Sequence, residues 1–295
     1  MRTVSLAAIQ FGCTWNREEN VAAADRLVRK AAQEGANVIL IPELFETPYF
    51  CAVQNQEFLK LARPLTDHPT LEHFRRVAAE LGVVLPVSVF ERAGTASFNS
   101  IVVIDADGAT VGHYRKSHIP QAPGYEEKYY FSPGDTGFRP VDTAYGKLGI
   151  AVCWDQWFPE AARSLVLQGA EFLMYPTAIG TEPKHATLDS MEHWRIVMRG
   201  HAGANMVPVV AANRIGAEAV EGVPMTFYGS SFISDHLGGM AVAADRISEA
   251  VLVKQFDLDE CRAYRESWGC FRDRRPDLYG ALATLDGRTA GAARY

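Results

Sequence analysis

The segment GKLGIAVCWDQWFPEAARSLVLQGAEFLMYP, residues 146–176, contains strand and helix signals in alternation. The apolar run at 147–152 predicts a short buried strand, and Pro159 stands where a helix can begin. Helical spacing of apolar residues then continues to Gly169, and glycine commonly ends helices. Residues 171–176 are again apolar and predict a second buried strand. This β–α–β unit indicates an α/β fold.

The chain on either side of this segment repeats the alternation. Residues 3–10 predict a strand, and Asn16 with Glu19 has the spacing of a helix-capping box. Further strands are predicted at 37–41, 83–90, 98–105, 109–116, 207–214, 227–234 and 250–258, and further helices at 71–81 and 190–206. No linker-like change of composition divides the chain. We therefore predict one α/β domain with mixed sheets over residues 1–295, with a core at about 3–258 and a polar tail at 259–295.

Composition and charge exclude several classes of protein. The chain has 295 residues, of which 48% are hydrophobic, and a net charge of −6 at pH 7. Without a basic patch, nucleic acid and anionic membrane surfaces are not expected partners. No membrane-length apolar run and no signal peptide are found, which predicts a cytoplasmic protein. The five cysteines form no metal-binding pattern, so we expect no disulfide framework, no metal and no cofactor.

Three reactive side chains lie at the ends of predicted strands: Glu43, Lys116 and Cys153. Strand ends are where α/β folds place their sites, although each residue alone has an ordinary structural explanation. A cysteine attacks as a thiolate, so it needs a base, and either His118 or a buried carboxylate can serve. The turn after Cys153 also offers the backbone N–H of Trp154 to a developing oxyanion.

The motifs around these residues resemble a known family. PELF (42–45), YRKSHIP (114–120) and CWDQWFPEAAR (153–163) resemble, in order, the three signature regions of the nitrilase superfamily of carbon–nitrogen hydrolases. The resemblance extends from residue 6 to about 258. It implies a nitrilase-like α-β-β-α sandwich, two mixed β-sheets flanked by helices, and a catalytic triad of Glu43, Lys116 and Cys153. It also implies a homo-oligomer.

The same resemblance implies a second glutamate in the loop after the lysine motif. The segment GYEEKYYF, residues 124–131, offers two neighbouring candidates, Glu126 and Glu127. We match Glu127, which directly precedes a lysine, and interpret Glu126 as a solvated loop residue. The implied role of Glu127 is to hold Lys116 and the attacking water or leaving amine.

Segments without a catalytic residue indicate a branch of the superfamily. YPTAIGTEP (175–183), HWRIVMRGHAGAN (193–205) and FYGSSFI (227–233) resemble the N-carbamoylputrescine amidases. The resemblance implies a small-molecule substrate, N-carbamoylputrescine or a related N-carbamoyl amine, cleaved to putrescine, carbon dioxide and ammonia. A β-ureidopropionase or N-carbamoyl-amino-acid amidase is the alternative with the same chemistry. A non-catalytic nitrilase-like binding module is the alternative from another class.

Recognition of a terminal ammonium needs a carboxylate or an aromatic face. Three candidates lie in loops that follow predicted strands: Glu182, Glu46 and Tyr130. We rank Glu182 first, because its loop follows the strand next in sequence to the Cys153 strand.

Overall fold

The computed structural model describes residues 1–183 and 187–288. The strands are β1 (Thr3–Gln10), β2 (Val38–Leu40), β3 (Leu85–Ala93), β4 (Ala96–Ile104), β5 (Thr110–Arg115), β6 (Val141–Thr143), β7 (Gly146–Ile150), β8 (Phe172–Pro176), β9 (Val209–Ala212), β10 (Ile215–Val220), β11 (Val223–Tyr228), β12 (Phe232–Ser234), β13 (Met240–Ala243) and β14 (Ala250–Asp257). The α-helices are α1 (Arg17–Gln33), α2 (Pro69–Leu81), α3 (Pro159–Leu167), α4 (Met191–Asn205) and α5 (Leu258–Trp268). None of these helices is long and apolar enough to cross a membrane.

The strands form two mixed sheets. In the first, the order is β14-β1-β2, and a parallel bridge between Val38 and Val84 joins this group to β3-β4-β5. In the second, the order is β13-β12-β9-β8-β7-β6. Its central strands β7, β8 and β9 are parallel, while the flanking pairs are antiparallel. Strands β10 and β11 form a separate hairpin.

The alternation of side chains along β1 shows how the layers stack. Val4, Leu6 and Ala8 belong to the apolar cluster shared with the second sheet and with α3 and α4. Ala7 and Ile9 belong to the cluster formed with α1 and α2. Because successive strand residues point to opposite faces, the first sheet is buried on both sides. The predicted α-β-β-α sandwich is confirmed.

Two segments differ from the sequence-based expectation. The strand predicted at 227–234 is interrupted, because Gly229 and Ser230 both adopt positive φ, 54° and 57°. This break allows β11 to pair with β10 in a hairpin that periodicity did not reveal. The predicted polar tail begins with helix α5, which Asp257 caps through the N–H groups of Asp259 and Glu260. Residues 289–295 of that tail lie outside the described residues, and the single domain over 1–295 stays a prediction.

One glycine lies where the chain after β5 must pass close to another backbone segment. The Gly134 N–H donates to the carbonyl oxygen of Lys116 at 2.8 Å, and a Cβ at this position would lie 2.0 Å from the carbonyl oxygen of Arg115. Since a backbone oxygen cannot rotate away, Gly134→Ala should lower the free energy of unfolding by about 1–3 kcal/mol. Urea unfolding followed by circular dichroism measures this change.

Gly200, in α4, is the matched control. A Cβ there would meet nothing within 4 Å, and its φ is not positive. Gly200→Ala should leave stability unchanged or raise it by up to about 1 kcal/mol, because alanine favours helix. Equal unfolding midpoints for the wild type and Gly134→Ala would contradict the close approach of the two segments.

Candidate active site

The ends of β2 and β5 bring a carboxylate and an ammonium into contact. Lys116 Nζ lies 2.9 Å from Glu43 Oε1, and it also lies 2.7 Å and 2.9 Å from the two carboxylate oxygens of Glu127. All three residues have 0% exposure. Glu126 instead faces outward and accepts a hydrogen bond from the side chain of Gln54 at 2.8 Å. Of the two neighbouring glutamates, only Glu127 therefore contacts the lysine.

The charges in this cluster depend on one another. Burial by itself disfavours the ammonium, but Glu127 and Glu43 outweigh this effect and raise the pKa of Lys116 well above its usual value. Burial raises the pKa of Glu127 to about 7, against the opposing effect of Lys116. Lys116 is therefore a permanent cation near neutral pH, whereas Glu127 can take up a proton there.

One oxygen of Glu43 is open. Its Oε1 accepts hydrogen bonds from Lys116 and from Asn99 Nδ2, the latter at 2.6 Å. Its Oε2 is buried and has no hydrogen-bond partner within the described residues. A buried carboxylate oxygen without a partner is costly, and such atoms often have a chemical role. This oxygen is available to accept a proton.

Cys153 begins a tight turn directly after the β7 segment. Its φ is +41°, in the left-handed region that is strained for any residue with a Cβ, and a 3-10 turn over Cys153–Trp157 follows. The thiol is nearly buried, and its Sγ lies 3.9 Å from the carbonyl oxygen of Ala178. Burial raises the pKa of the Cys153 thiol well above its usual value, and the charge of Glu43 raises it further. The thiol is therefore protonated at rest and needs a base.

A buried aspartate stabilises this turn and forms a hydrogen bond with His118. Asp155 accepts hydrogen bonds from Tyr114 OH at 2.6 Å and from the Val152 N–H at 3.0 Å. Its other oxygen lies 2.7 Å from His118 Nδ1. The imidazole also stacks on Phe158, with 3.6 Å between ring centroids. The contact with Asp155 orients His118 but does not by itself prevent it from acting as a base. Glu43 is favoured as the base because its charge acts on the Cys153 thiol and its Oε2 has no hydrogen-bond partner within the described residues.

A cavity of about 360 Å³ opens onto the thiol. Its lining combines the reactive side chains with acidic and aromatic groups: Pro120, Gln121, Ala122, Tyr125, Glu127, Cys153, Trp154, Gln156, Trp157, Ala178, Ile179, Glu182, Ser190 and His193. The ring centroids of Trp157 and His193 are 4.9 Å apart, and Trp154 packs edge-on against Trp157. Glu182 is near enough to Tyr125 for its charge to raise the pKa of that hydroxyl, which burial already raises.

The structure separates the three residues predicted to read an ammonium. Glu182 lines the cavity, but Glu46 and Tyr130 do not. Glu46 forms an ion pair with Arg17 at 2.7 Å and accepts a hydrogen bond from Thr70. Tyr130 is buried among aromatic rings, and its hydroxyl donates to the carbonyl oxygen of Val53 at 2.6 Å. Both predictions are corrected, because each side chain is committed to a structural contact elsewhere.

Several residues of the site were not predicted from the sequence. Asn99 binds Glu43 from the middle of β4, and Tyr49 donates its hydroxyl proton to Glu127 Oε1 at 2.6 Å. Trp157 lies within the cysteine motif, and His193 lies in the helix predicted at 190–206. Of the two, Trp157 could have been found from its place in CWDQW. Within residues 1–183 and 187–288, no group of three or more His, Cys, Asp or Glu side chains is arranged to hold a metal ion.

Comparison with known proteins agrees with this geometry. A family model described as carbon-nitrogen hydrolase matches residues 5–266. An N-carbamoylputrescine amidase of Arabidopsis thaliana is 59% identical over 290 residues, which are 97% of each chain. A citrullinase of Francisella tularensis is 49% identical over 282 residues, covering 96% of this chain and 99% of the relative.

A solved structure supports the same conclusion. The crystal structure of a carbon-nitrogen hydrolase from Helicobacter pylori superposes with a TM-score of 0.90 at 37% sequence identity, covering 96% of this chain and 99% of the other. The fold, the motifs and the full-length relatives all indicate the same family. The chain therefore belongs to the carbon–nitrogen hydrolase family, the nitrilase superfamily, and is a hydrolase of carbon–nitrogen bonds other than peptide bonds.

Proposed function

We propose that this enzyme hydrolyses the ureido group of N-carbamoylputrescine to putrescine, carbon dioxide and ammonia, with Cys153 as nucleophile. The observation that carries the reaction is the unpartnered buried oxygen of Glu43 in a cluster whose charges act on the Cys153 thiol. The observation that favours this substrate is the 59% identity to relatives named N-carbamoylputrescine amidase.

The first step is attack on the ureido carbon. Glu43 Oε2 accepts the proton of the Cys153 thiol as sulfur forms the new bond, since burial disfavours a free thiolate. Negative charge moves to the ureido oxygen, where Lys116 supplies an opposing positive charge. The N–H of Trp154, at the start of the turn, supplies a second donor.

The later steps of the reaction release the products and return the enzyme to its resting form. Glu43 gives its proton to the departing ammonia, and a thioester remains on Cys153 with the diamine still attached. Glu43 then takes a proton from water, whose oxygen attacks the thioester carbon. The carbon–sulfur bond breaks, a carbamate is released, and Glu43 returns the proton to the Cys153 sulfur. The carbamate loses carbon dioxide to give putrescine. Glu127 holds Lys116 in place and helps to position the leaving amine and the water throughout.

The distal ammonium of the substrate is assigned to the acidic and aromatic part of the cavity. Glu182 supplies a carboxylate there, beside Tyr125 and the tryptophan rings. A β-ureidopropionase or a citrullinase must instead bind a substrate carboxylate, for which arginine or lysine is the usual partner. No arginine or lysine is among the lining residues within the described part of the chain.

We further propose a homo-oligomer in the cytoplasm. The end of α5 and the segment after it leave several large apolar side chains exposed, and such side chains are commonly covered at interfaces. They are Trp268, Leu278, Leu282 and Leu285. Sedimentation equilibrium tests this proposal: a monomer at micromolar concentration would contradict it.

Substrate identity is tested by a side-by-side assay of ammonia release. The wild type should act on N-carbamoylputrescine with a kcat/KM about two powers of ten above that for N-carbamoyl-β-alanine or L-citrulline, because the cavity offers a carboxylate to a cation. Cys153→Ala should release no ammonia. Cys261→Ala, a buried cysteine in α5, is the matched control and should keep full activity.

A higher kcat/KM for N-carbamoyl-β-alanine or for L-citrulline would contradict the proposed substrate and would indicate a substrate that carries a carboxylate. If no compound releases ammonia, the non-catalytic binding module becomes the better explanation.

The identity of the base is tested by Glu43→Gln and His118→Ala. Glu43→Gln keeps the size of the side chain but removes the proton acceptor, so kcat should fall by about two to four powers of ten. His118→Ala loses a contact with Asp155 and should cost about tenfold, the size of one lost hydrogen bond. Steady-state kinetics measure both. If the two variants were equally inactive, His118 would have to share the role of base.

Selectivity is tested at Glu182. Glu182→Gln should raise KM for N-carbamoylputrescine by about one to two powers of ten, because a partly buried ion pair is lost. It should barely change the cleavage of uncharged N-carbamoylbutylamine. Glu126→Gln, a nearby carboxylate outside the cavity lining, should change neither value. Equal losses on both substrates in Glu182→Gln would show that this residue supports the site generally and does not bind the ammonium.

A further inference from the structure

A buried arginine lies behind the proposed base. Arg214 has 0% exposure and is not among the residues that line the cavity. Its Nη2 donates to the carbonyl oxygens of Glu43 at 2.7 Å and Leu44 at 2.9 Å. Its Nη1 donates to Glu218 Oε1 at 2.9 Å. The guanidinium therefore holds the backbone that carries Glu43 without reaching the substrate.

Tyr49 connects Glu218 to Glu127, the second glutamate that contacts Lys116. The Tyr49 N–H donates to Glu218 Oε2 at 2.6 Å, and the Tyr49 hydroxyl donates to Glu127 Oε1 at 2.6 Å. The contacts close a ring that runs through Glu43, Arg214, Glu218, Tyr49, Glu127 and Lys116, and back to Glu43. We call these six residues the carboxylate ring.

Local packing and strain indicate that the ring is rigid. The Phe227 ring lies 5.2 Å from the Arg214 guanidinium carbon and 6.0 Å from the Tyr49 ring, so it packs against both. Leu44 has a φ of +47°, an unfavourable value for a residue with a branched side chain. Such strain persists only where neighbouring contacts enforce it. Arg214 provides such contacts on both sides of Leu44, at the carbonyl oxygen of Glu43 before it and at its own carbonyl oxygen.

We propose that Arg214 and Tyr49 are positioning residues, which fix Glu43 by its backbone and Glu127 by its carboxylate on the two sides of Lys116. This proposal rests on the proposed roles of Glu43 and Glu127 in catalysis. Arg214 fixes the backbone from which the Glu43 carboxylate acts on the thiol. Tyr49 keeps Glu127 ionised, and therefore keeps Lys116 in place.

The charge state of Glu127 reports on the ring. The titratable groups that face it are Lys116, Glu43, Tyr49, Cys51 and Cys153. Burial raises its pKa to about 7, and the hydrogen bond from Tyr49 opposes that rise. Since the ionised form holds Lys116, kcat/KM should fall as the pH drops through about 7. Removal of the Tyr49 donor raises this pKa and moves the acid limb to higher pH.

The decisive variant is Tyr49→Phe, which removes one oxygen. The acid limb of kcat/KM should move up by about one pH unit, which corresponds to about 1.4 kcal/mol, with KM above the limb little changed. Tyr130→Phe is the matched control. Tyr130 lies in the same apolar cluster and also donates a hydrogen bond of 2.6 Å, but to a backbone carbonyl outside the ring. Tyr130→Phe should leave the limb where it is.

A readout without substrate separates this proposal from the proposed function. The rate at which iodoacetamide labels Cys153, followed by peptide mass spectrometry across pH, depends on the charge of Glu127. Its inflection should move with Tyr49→Phe and stay fixed with Tyr130→Phe. If the wild type fails to cleave N-carbamoylputrescine while this shift is seen, only the substrate proposal is wrong. If neither the labelling inflection nor the acid limb moves in Tyr49→Phe, the positioning role is overturned, whatever the substrate.

Arg214 is tested by Arg214→Lys, which keeps the charge but loses the forked donor geometry. We expect kcat to fall by about tenfold or more with KM little changed. If the two residues act through one ring, the loss in Tyr49→Phe/Arg214→Lys should be smaller than the product of the single losses. Losses that multiply would overturn the ring as a unit. Should Arg214→Lys not fold, Tyr49→Phe alone decides.

Discussion

The contact of Lys116 with two carboxylates constrains the whole site. A fully buried ammonium is stable only if opposite charges and hydrogen bonds replace its water, and removal of one partner from such a pair costs about 3–5 kcal/mol. Glu43 comes from the end of β2, Lys116 from the end of β5, and Glu127 from a loop between β5 and β6. The ion pairs of Lys116 with Glu43 and Glu127 therefore fix the relative placement of three chain segments.

The cysteine is prepared differently from one that is paired with a charged histidine. In such pairs a nearby cation lowers the thiol pKa, so a thiolate is stored before substrate arrives. Here burial and Glu43 raise the pKa of Cys153, and Lys116 opposes them only in part. In the proposed mechanism, thiol activation and attack are therefore coupled through the unpartnered Oε2 of Glu43. Asp155 supports this arrangement by holding the strained turn, since it accepts a hydrogen bond from the N–H of the residue before Cys153 and also contacts the imidazole of His118.

The sequence predicted those parts of the site that depend on strand ends. Glu43, Lys116 and Cys153 lie at the ends of predicted strands, so a correct strand assignment already brings them to the same region of the fold. Glu46 shows where this reasoning stops. It lies three residues beyond Glu43, but the positive φ of Leu44 turns the chain, and the side chain reaches Arg17. A position shortly after a predicted strand indicates which loop a residue occupies, but it does not indicate the direction of the side chain.

The remaining gaps have a similar physical origin. Arg214 lies 171 residues from Glu43, and Tyr49 lies 169 residues from Glu218, so no local pattern could pair them. The end of the hairpin β10–β11 was missed because the strand predicted at 227–234 is broken after Tyr228, where Gly229 and the non-glycine residue Ser230 both adopt positive φ. The individual strands and helices were predicted more reliably, because buried strands and amphipathic helices each leave a periodic apolar signal. Their stacking as an α-β-β-α sandwich was implied by the family resemblance and not by periodicity.

The proposed mechanism requires that Cys153 form a thioester that still carries the diamine. Rapid-quench peptide mass spectrometry of the wild type, during its first turnover of N-carbamoylputrescine, detects this intermediate directly. We expect an adduct on the Cys153 peptide whose mass corresponds to the substrate after loss of ammonia. Turnover with no adduct at Cys153, or with an adduct on another cysteine, would contradict it.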